Sequence, residues 1–333
     1  MNIDFLSNRG IDVLPKARNL SYDPDTTSSG LACRDPFILP LDGKYYLYKN
    51  DGTRIVCLVS PDLEHWSAPI TVFEPPAKFH GVKDLFWAPE CHFYKGAFYI
   101  FTSVFSCVNN HRTISVYRAT DPTGPFEDIA NGCITPPDWD AIDGTFYLDR
   151  EGKPWMVFVH EWTSMPDHNG RMAAARLSDD LTHFVSEPID LFGARDASWA
   201  TSGVTDGPYM LRTDSDLFMI WSNFGKNGYT VGLAKSDSGE IGGNFIQFDK
   251  PLYEKGLHPD FVTDGGHAMI FSDFSGRLLL ALHGPNNKSE TDYEHLQLFE
   301  LCEENNIPSI KQRINGLPPA GQQKGGSERT TNE

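Results

Sequence analysis

Residues 34–50, RDPFILPLDGKYYLYKN, read as a β-hairpin with a charged pair at its mouth. Two apolar, aromatic-rich runs flank Asp42-Gly43, a dipeptide suited to a tight turn between antiparallel strands. Arg34 and Asp35 stand directly before the first run, where charge is costly unless it is paired or used. The pattern recurs. WAPECHFYKGAFYIFTS turns at Lys95-Gly96 and DGTFYLDREGKPWMVFVHEW at Glu151-Gly152. DGPYMLRTDSDLFMIWSN turns near Asp214-Ser215 and GGHAMIFSDFSGRLLLALHG at Ser275-Gly276. Helical periodicity is scarce, and short alternating runs between Gly, Asp, Asn and Pro clusters dominate the chain.

The polar leaders of the five hairpins are Asp35, Glu90, Asp143, Asp206 and His267, spaced 53 to 63 residues apart. Further strand-like segments follow each hairpin, including SPDLEHWSAP and LSDDLTHFVSEP. A quasi-repeat of that length with about four strands per unit predicts an all-β, five-bladed β-propeller. In a propeller the inner strands surround one axis, so their starting residues meet at one face. Asp is also common at strand starts and turns, which accounts for one or two leaders but not for the recurrence. The expected organisation is an N-terminal extension over residues 1–27 that packs on the propeller, a catalytic propeller over 28–305, and a partly disordered tail over 306–333. The tail from Arg313 onward is rich in Gly, Pro and Gln.

The chain has 333 residues and a formal net charge of −17. Strong acidity argues against nucleic acid or an anionic membrane as a partner. No apolar run approaches the roughly 18 residues of a spanning helix. The six cysteines are scattered, without CxxC spacing, and the first residues lack a basic segment followed by an apolar one. The expectation is a cytoplasmic protein with reduced thiols, of undetermined oligomeric state.

Carboxyls converging on an aromatic-lined funnel suit glycoside chemistry. One must be ionised while another is protonated at the same pH, and burial and like charge separate their pKa values. Trp and Tyr faces suit sugar C–H groups. The aromatic candidates are Phe86, Trp87, Trp139, Phe146, Trp162 and Trp199, each of which also reads as ordinary core.

Taken together and in order, RDPFILPLDGKYYLY, FWAPECHFYKGAFYIFTS, DGTFYLDREGKPWMVF, VTDGPYMLR and DGGHAMIFSDFSGRLLLALHGPN resemble glycoside hydrolase family 43 over about residues 28 to 305. The resemblance implies an inverting enzyme that removes terminal α-L-arabinofuranose or β-D-xylose from short plant-type oligosaccharides. It implies Asp35 as the general base and Asp143 as the carboxylate that orients and tunes the acid. The family's acid is usually Glu in EGP, and here the position reads TDGP, which makes it Asp206. Glu161 of VFVHEW is the alternative acid, and Glu90 of WAPE a third. Arg34, Phe86, Trp87, Glu90, Trp139, His160, Glu161 and Trp199 are the substrate-binding candidates. No cofactor is required, and the metal candidate is a structural Ca²⁺ or Na⁺ at His267 on the axis. His283 of LHGPN reads as a core histidine or one standing behind the site. The missing family Glu keeps a catalytically impaired carbohydrate-binding propeller open, as well as a related furanosidase such as a galactofuranosidase.

Overall fold

The computed structural model describes residues 22–83, 86–130, 132–286 and 294–316. Five four-stranded antiparallel sheets form the blades, each from one continuous stretch of chain. Their inner strands are Phe37–Leu41, Trp87–Tyr94, Ala141–Leu148, Asp206–Arg212 and Gly266–Ser272. Each inner strand packs against the next, and the last returns to the first, which closes the ring. Successive strands step outward in sequence order. Tyr22–Thr27, from the expected extension, pairs with the short strand His65–Ser67. Residues 1–21 of that extension lie outside the described residues.

The hairpin turns form where the sequence places them. Asp42 and Gly43 have φ of 48° and 71°, and Lys95 and Gly96 have 45° and 81°. Two consecutive left-handed residues match the right-handed twist of the flanking strands. Apolar packing between the blades holds the ring. Phe73 stacks on Tyr117 at 3.9 Å between blades one and two, and Trp221 packs edge-on to Phe192 at 5.1 Å between blades four and three. Trp66, Trp221, Phe98, Phe158 and Phe299 are fully buried. Each such side chain contributes about 1.5–3 kcal/mol on leaving water.

Blade five extends past the expected boundary at residue 305. Ile307–Arg313 is its outermost strand, paired with His295–Glu304. An edge strand buries only alternate residues, so its weak apolar pattern resembles a tail. Residues beyond 316 lie outside the described residues.

A shared bulge sets the geometry of the funnel. In blades two to five the inner strand carries one extra residue between Trp87 and Glu90, Ile142 and Thr145, Asp206 and Tyr209, and Gly266 and Met269. Within these bulges Ala88, Asp143, Gly207 and His267 have φ of 44°, 55°, 47° and 50°, and Asp35 of blade one has 49°. A bulge twists the strand and re-aims its side chains. The left-handed backbone costs a non-glycine residue about 1–2 kcal/mol. The equivalent positions are therefore Asp35, Ala88, Asp143, Gly207 and His267. Two of the expected leaders are out of register: Glu90 lies two residues below its bulge and Asp206 one residue above. Beneath the bulges Phe37 meets His92 at 4.8 Å and Tyr209 at 6.5 Å, an aromatic floor drawn from three blades.

Candidate active site

Asp143 and His267 project from equivalent bulges and Asp35 from the matching left-handed position before the inner strand of blade one, and the three meet at the axis. His267 Nδ1 lies 3.2 Å from Asp35 Oδ1 and 3.7 Å from Asp143 Oδ2. Two hydroxyls anchor the bulges from behind. Ser103 Oγ accepts from the Asp143 amide at 2.9 Å, and Ser222 Oγ from the His267 amide at 2.8 Å. The amide of Gly207 donates to Asp143 Oδ2 at 3.0 Å, which ties blade four to blade three.

Gly207 is glycine for two reasons. Its backbone is left-handed, and a Cβ there would lie 2.8 Å from His267 Cγ. Gly207→Ala is expected to lower stability by about 1–3 kcal/mol and to push the imidazole off Asp35, with a roughly hundredfold loss of turnover. Urea unfolding and steady-state kinetics on the same preparation check both effects.

Asp35 is met by two histidines and an arginine. Its amide lies 3.2 Å from Nδ1 of the fully buried His283, and its Oδ1 lies 3.3 Å from the same nitrogen. The two contacts are alternatives. Nδ1 accepts in the first, and in the second it carries the proton and donates. Arg34 approaches Asp35 Oδ2 with Nε at 3.6 Å and pairs through Nη1 with Glu294 at 2.9 Å and Asn286 at 3.2 Å.

Burial alone would raise the Asp35 carboxyl, but His267, His283 and Arg34 together hold it well below the ordinary carboxylate range. The other carboxyls move the opposite way. Asp143 is pushed up to about 7 by burial and by the Asp35 charge. Asp206 is pushed up to about 7 by burial and by Asp143, against the opposing effects of His267 and a 2.9 Å hydrogen bond that Tyr229 Oη donates to its Oδ2. Glu161, just past the second strand of blade three, is pushed up to about 7 by burial and by Asp206 and Asp140. One funnel thus holds an ionised carboxylate beside carboxyls that keep their protons into the neutral range.

Other expected site residues divide. Phe86 is fully buried between Phe73 and Phe79 and belongs to the core, not the funnel. Trp199 also leaves the candidate list: it packs on Trp221 at 5.1 Å, over a space that only Gly232 leaves open. Glu90 is buried below the bulge with Oε2 2.9 Å from His92 Nε2, so it supports the floor. Its carboxyl is raised well above the usual range by burial, with Asp143 adding to the rise. Trp87 remains at the rim with the Arg112 guanidinium 3.2 Å from its ring centroid. Trp139 stacks on His160 at 3.7 Å, next to Glu161. Burial lowers His160 to about 4, so this pair is a neutral wall.

An axial ion at His267 would have to be held through Nε2, the ring nitrogen that does not face Asp35 and Asp143. Nδ1 of His267 is turned to two carboxylates. Among the described residues no group of three or more His, Cys, Asp and Glu side chains is placed to hold a metal. No step below is routed through an ion.

Sequence reasoning missed Tyr229 and Arg112. Both stand at the start of a third strand, Gly228–Ser236 and Arg112–Ala119. Those strand starts return to the funnel face just as the inner strand starts do. Their signal was a polar or aromatic residue directly after the second turn of each hairpin unit.

A sequence profile of glycosyl hydrolases family 43 matches residues 30–300. The chain belongs to this family. It is 36% identical to a solved endo-arabinase of Bacteroides thetaiotaomicron VPI-5482, with a TM-score of 0.75 over 84% of this chain and 97% of that one. It is 26% identical over 237 residues to the extracellular exo-α-(1→5)-L-arabinofuranosidase ArbA of Cellvibrio japonicus. It is 24% identical over 146 residues to the extracellular endo-α-(1→5)-L-arabinanase 1 of Bacillus subtilis. The matched stretches span 65% and 44% of the lengths of these two relatives. The family's five-bladed fold is the one the hairpin repeat predicts.

Proposed function

We propose that the protein hydrolyses α-L-arabinofuranosidic bonds in short, neutral oligosaccharides, with Asp35 as base, Asp206 as acid and Asp143 as the group that tunes the acid. The observation that carries this reading is the convergence of Asp35, Asp143 and Asp206 on one funnel, with Asp35 and Asp143 both facing His267 and Asp206 held by Tyr229. The arabinan-directed names of the relatives support arabinose over xylose.

In the proposed step, ionised Asp35 takes a proton from water and the water oxygen attacks the anomeric carbon. Asp206 gives its proton to the glycosidic oxygen as the C–O bond breaks. Tyr229 occupies Asp206 Oδ2 and leaves Oδ1 to carry that proton. His267 and Arg34 keep Asp35 charged. The Gly207 amide fixes Asp143, whose negative charge, when present, raises the proton affinity of Asp206.

A pH profile follows. The base has a depressed pKa, so it is active at every pH above the ordinary carboxylate range. The acid has a raised pKa, so it is lost as pH rises through about 7. kcat/KM is therefore expected to hold across mildly acidic pH and to fall above about 7. The alkaline limb belongs to the coupled Asp143, Asp206 and Glu161 cluster. Rates that stay flat from pH 5 to pH 9 would contradict the assignment.

The direct test is product analysis with α-1,5-arabinotriose and β-1,4-xylotriose. Release of arabinose by the wild type, abolished in Asp35→Asn, supports the reading. Cleavage of xylotriose alone replaces arabinose with xylose. Tight binding without cleavage of either sugar leaves a carbohydrate-binding propeller, the reading that Asp in place of the family Glu keeps open.

A further inference from the structure

Arg112 has no part in the chemistry above, yet it is built into the funnel rim. It opens the third strand of blade two, and its own amide is pinned by Asp140 Oδ1 at 3.0 Å across the gap to blade three. The guanidinium lies on Trp87, 3.2 Å from the ring centroid, with Phe105 at 6.0 Å. Its Nη1 is buried and has no hydrogen-bond partner among the described residues. A buried donor without an acceptor is disfavoured, and more so when it is charged.

We propose that Arg112 is a substrate-binding residue whose guanidinium donates a hydrogen bond from its open edge to a hydroxyl oxygen of a neutral sugar held beside Trp87. The carboxyls that act on this guanidinium are Glu161, Asp140 and Asp143. They come from the end of the second strand of blade three, the segment before its inner strand, and the inner strand itself. Of these, Asp140 is held below the ordinary carboxylate range, against its burial, by hydrogen bonds from the Arg112 amide, Thr163 and His111, so it stays ionised and offsets the cation, which favours a neutral hydroxyl over a uronate carboxylate as the acceptor. Stacking on Trp87 sets the plane of the fork in advance, so little rotamer freedom is lost when sugar binds. Trp87 then acts through its cap: the sugar meets a guanidinium where the sequence suggested a bare indole.

The inference rests on the carbohydrate reading of the funnel but not on which pentose it takes. The test uses Asp35→Asn as a catalytically silenced background and calorimetric titration with α-1,5-arabinotriose and β-1,4-xylotriose. Adding Arg112→Gln is expected to weaken binding of whichever triose binds by roughly tenfold or more. Arg112→Lys, which keeps the charge but not the planar fork, is expected to fall between. Thermal unfolding of each variant is recorded beside the titration. Should the Gln variant fail to fold, the Lys variant carries the comparison. Affinities equal within twofold across these proteins overturn the proposal, as does failure of the background protein to bind either neutral triose. Binding of xylotriose alone, weakened by the Arg112 change, upholds Arg112 while it removes the arabinose assignment.

Discussion

Asp35→Asn is expected to lower kcat on an α-1,5-linked arabino-oligosaccharide by about 10²–10⁴-fold, the range for loss of a positioned general base. The substitution is nearly isosteric. The amide oxygen can still accept from His267 or His283, so the fold should survive. What disappears is the charge that accepts water's proton. The same change removes the largest repulsion from a neighbouring group on Asp143. The pKa of Asp143 should therefore fall, and its support for the proton on Asp206 should move to lower pH. Rapid-quench or steady-state kinetics with an unchanged unfolding transition checks the loss. A variant that retains a tenth of wild-type turnover would remove Asp35 from the base role.

The second large effect separates the acid from its neighbour. Asp206→Asn is expected to cost about 10²–10⁴-fold on a natural oligosaccharide, whose leaving alcohol must be protonated. The cost should be far smaller on an aryl arabinofuranoside such as the 4-nitrophenyl compound, whose leaving group departs without a proton. Glu161→Gln is expected to change both rates by less than about tenfold, since a group that only sets a neighbour's charge state contributes far less than the proton donor itself. Its main effect should be a shift of the alkaline limb to lower pH, because a charge that repels the Asp206 carboxylate has been removed. The reverse pattern, with leaving-group dependence appearing in Glu161→Gln, would transfer the acid role to Glu161.

Much of the architecture was legible because hairpins advertise themselves. Alternation with period two marks the strands, and pairs such as Asp42-Gly43 supply the left-handed turn residues. The similar spacing of the hairpins, 53 to 63 residues, then gives the blade count. The funnel was legible in part. Asp35, Asp143 and His267 share a register, and the structure brings them within hydrogen-bonding or ion-pair reach. The bulge was not legible, because one extra residue leaves no trace in an alternating pattern that begins at its far side. That slip put Glu90 and Asp206 in the same class as Asp35, although Glu90 lies under the floor and Asp206 one residue above its bulge.

Phe86 and Trp199 failed as substrate contacts for a related reason. Aromatic residues near a strand mouth face either the funnel or the interblade core. Only packing decides: Phe73 and Phe79 enclose the first, and Gly232 makes room for the second. Tyr229 and Arg112 escaped notice because third strands were treated as outer structure, while their starts reach the same rim. The final strand Ile307–Arg313 was read as tail because its burial is sparse.

In the proposed mechanism, water activated by Asp35 attacks directly while Asp206 protonates the leaving group. Proton NMR of α-1,5-arabinotriose hydrolysis, recorded within the first minutes, tests it most directly. The newly released reducing end is expected to appear first as the β-anomer and to mutarotate afterwards. First appearance of the α-anomer would require a covalent intermediate, and would contradict this mechanism.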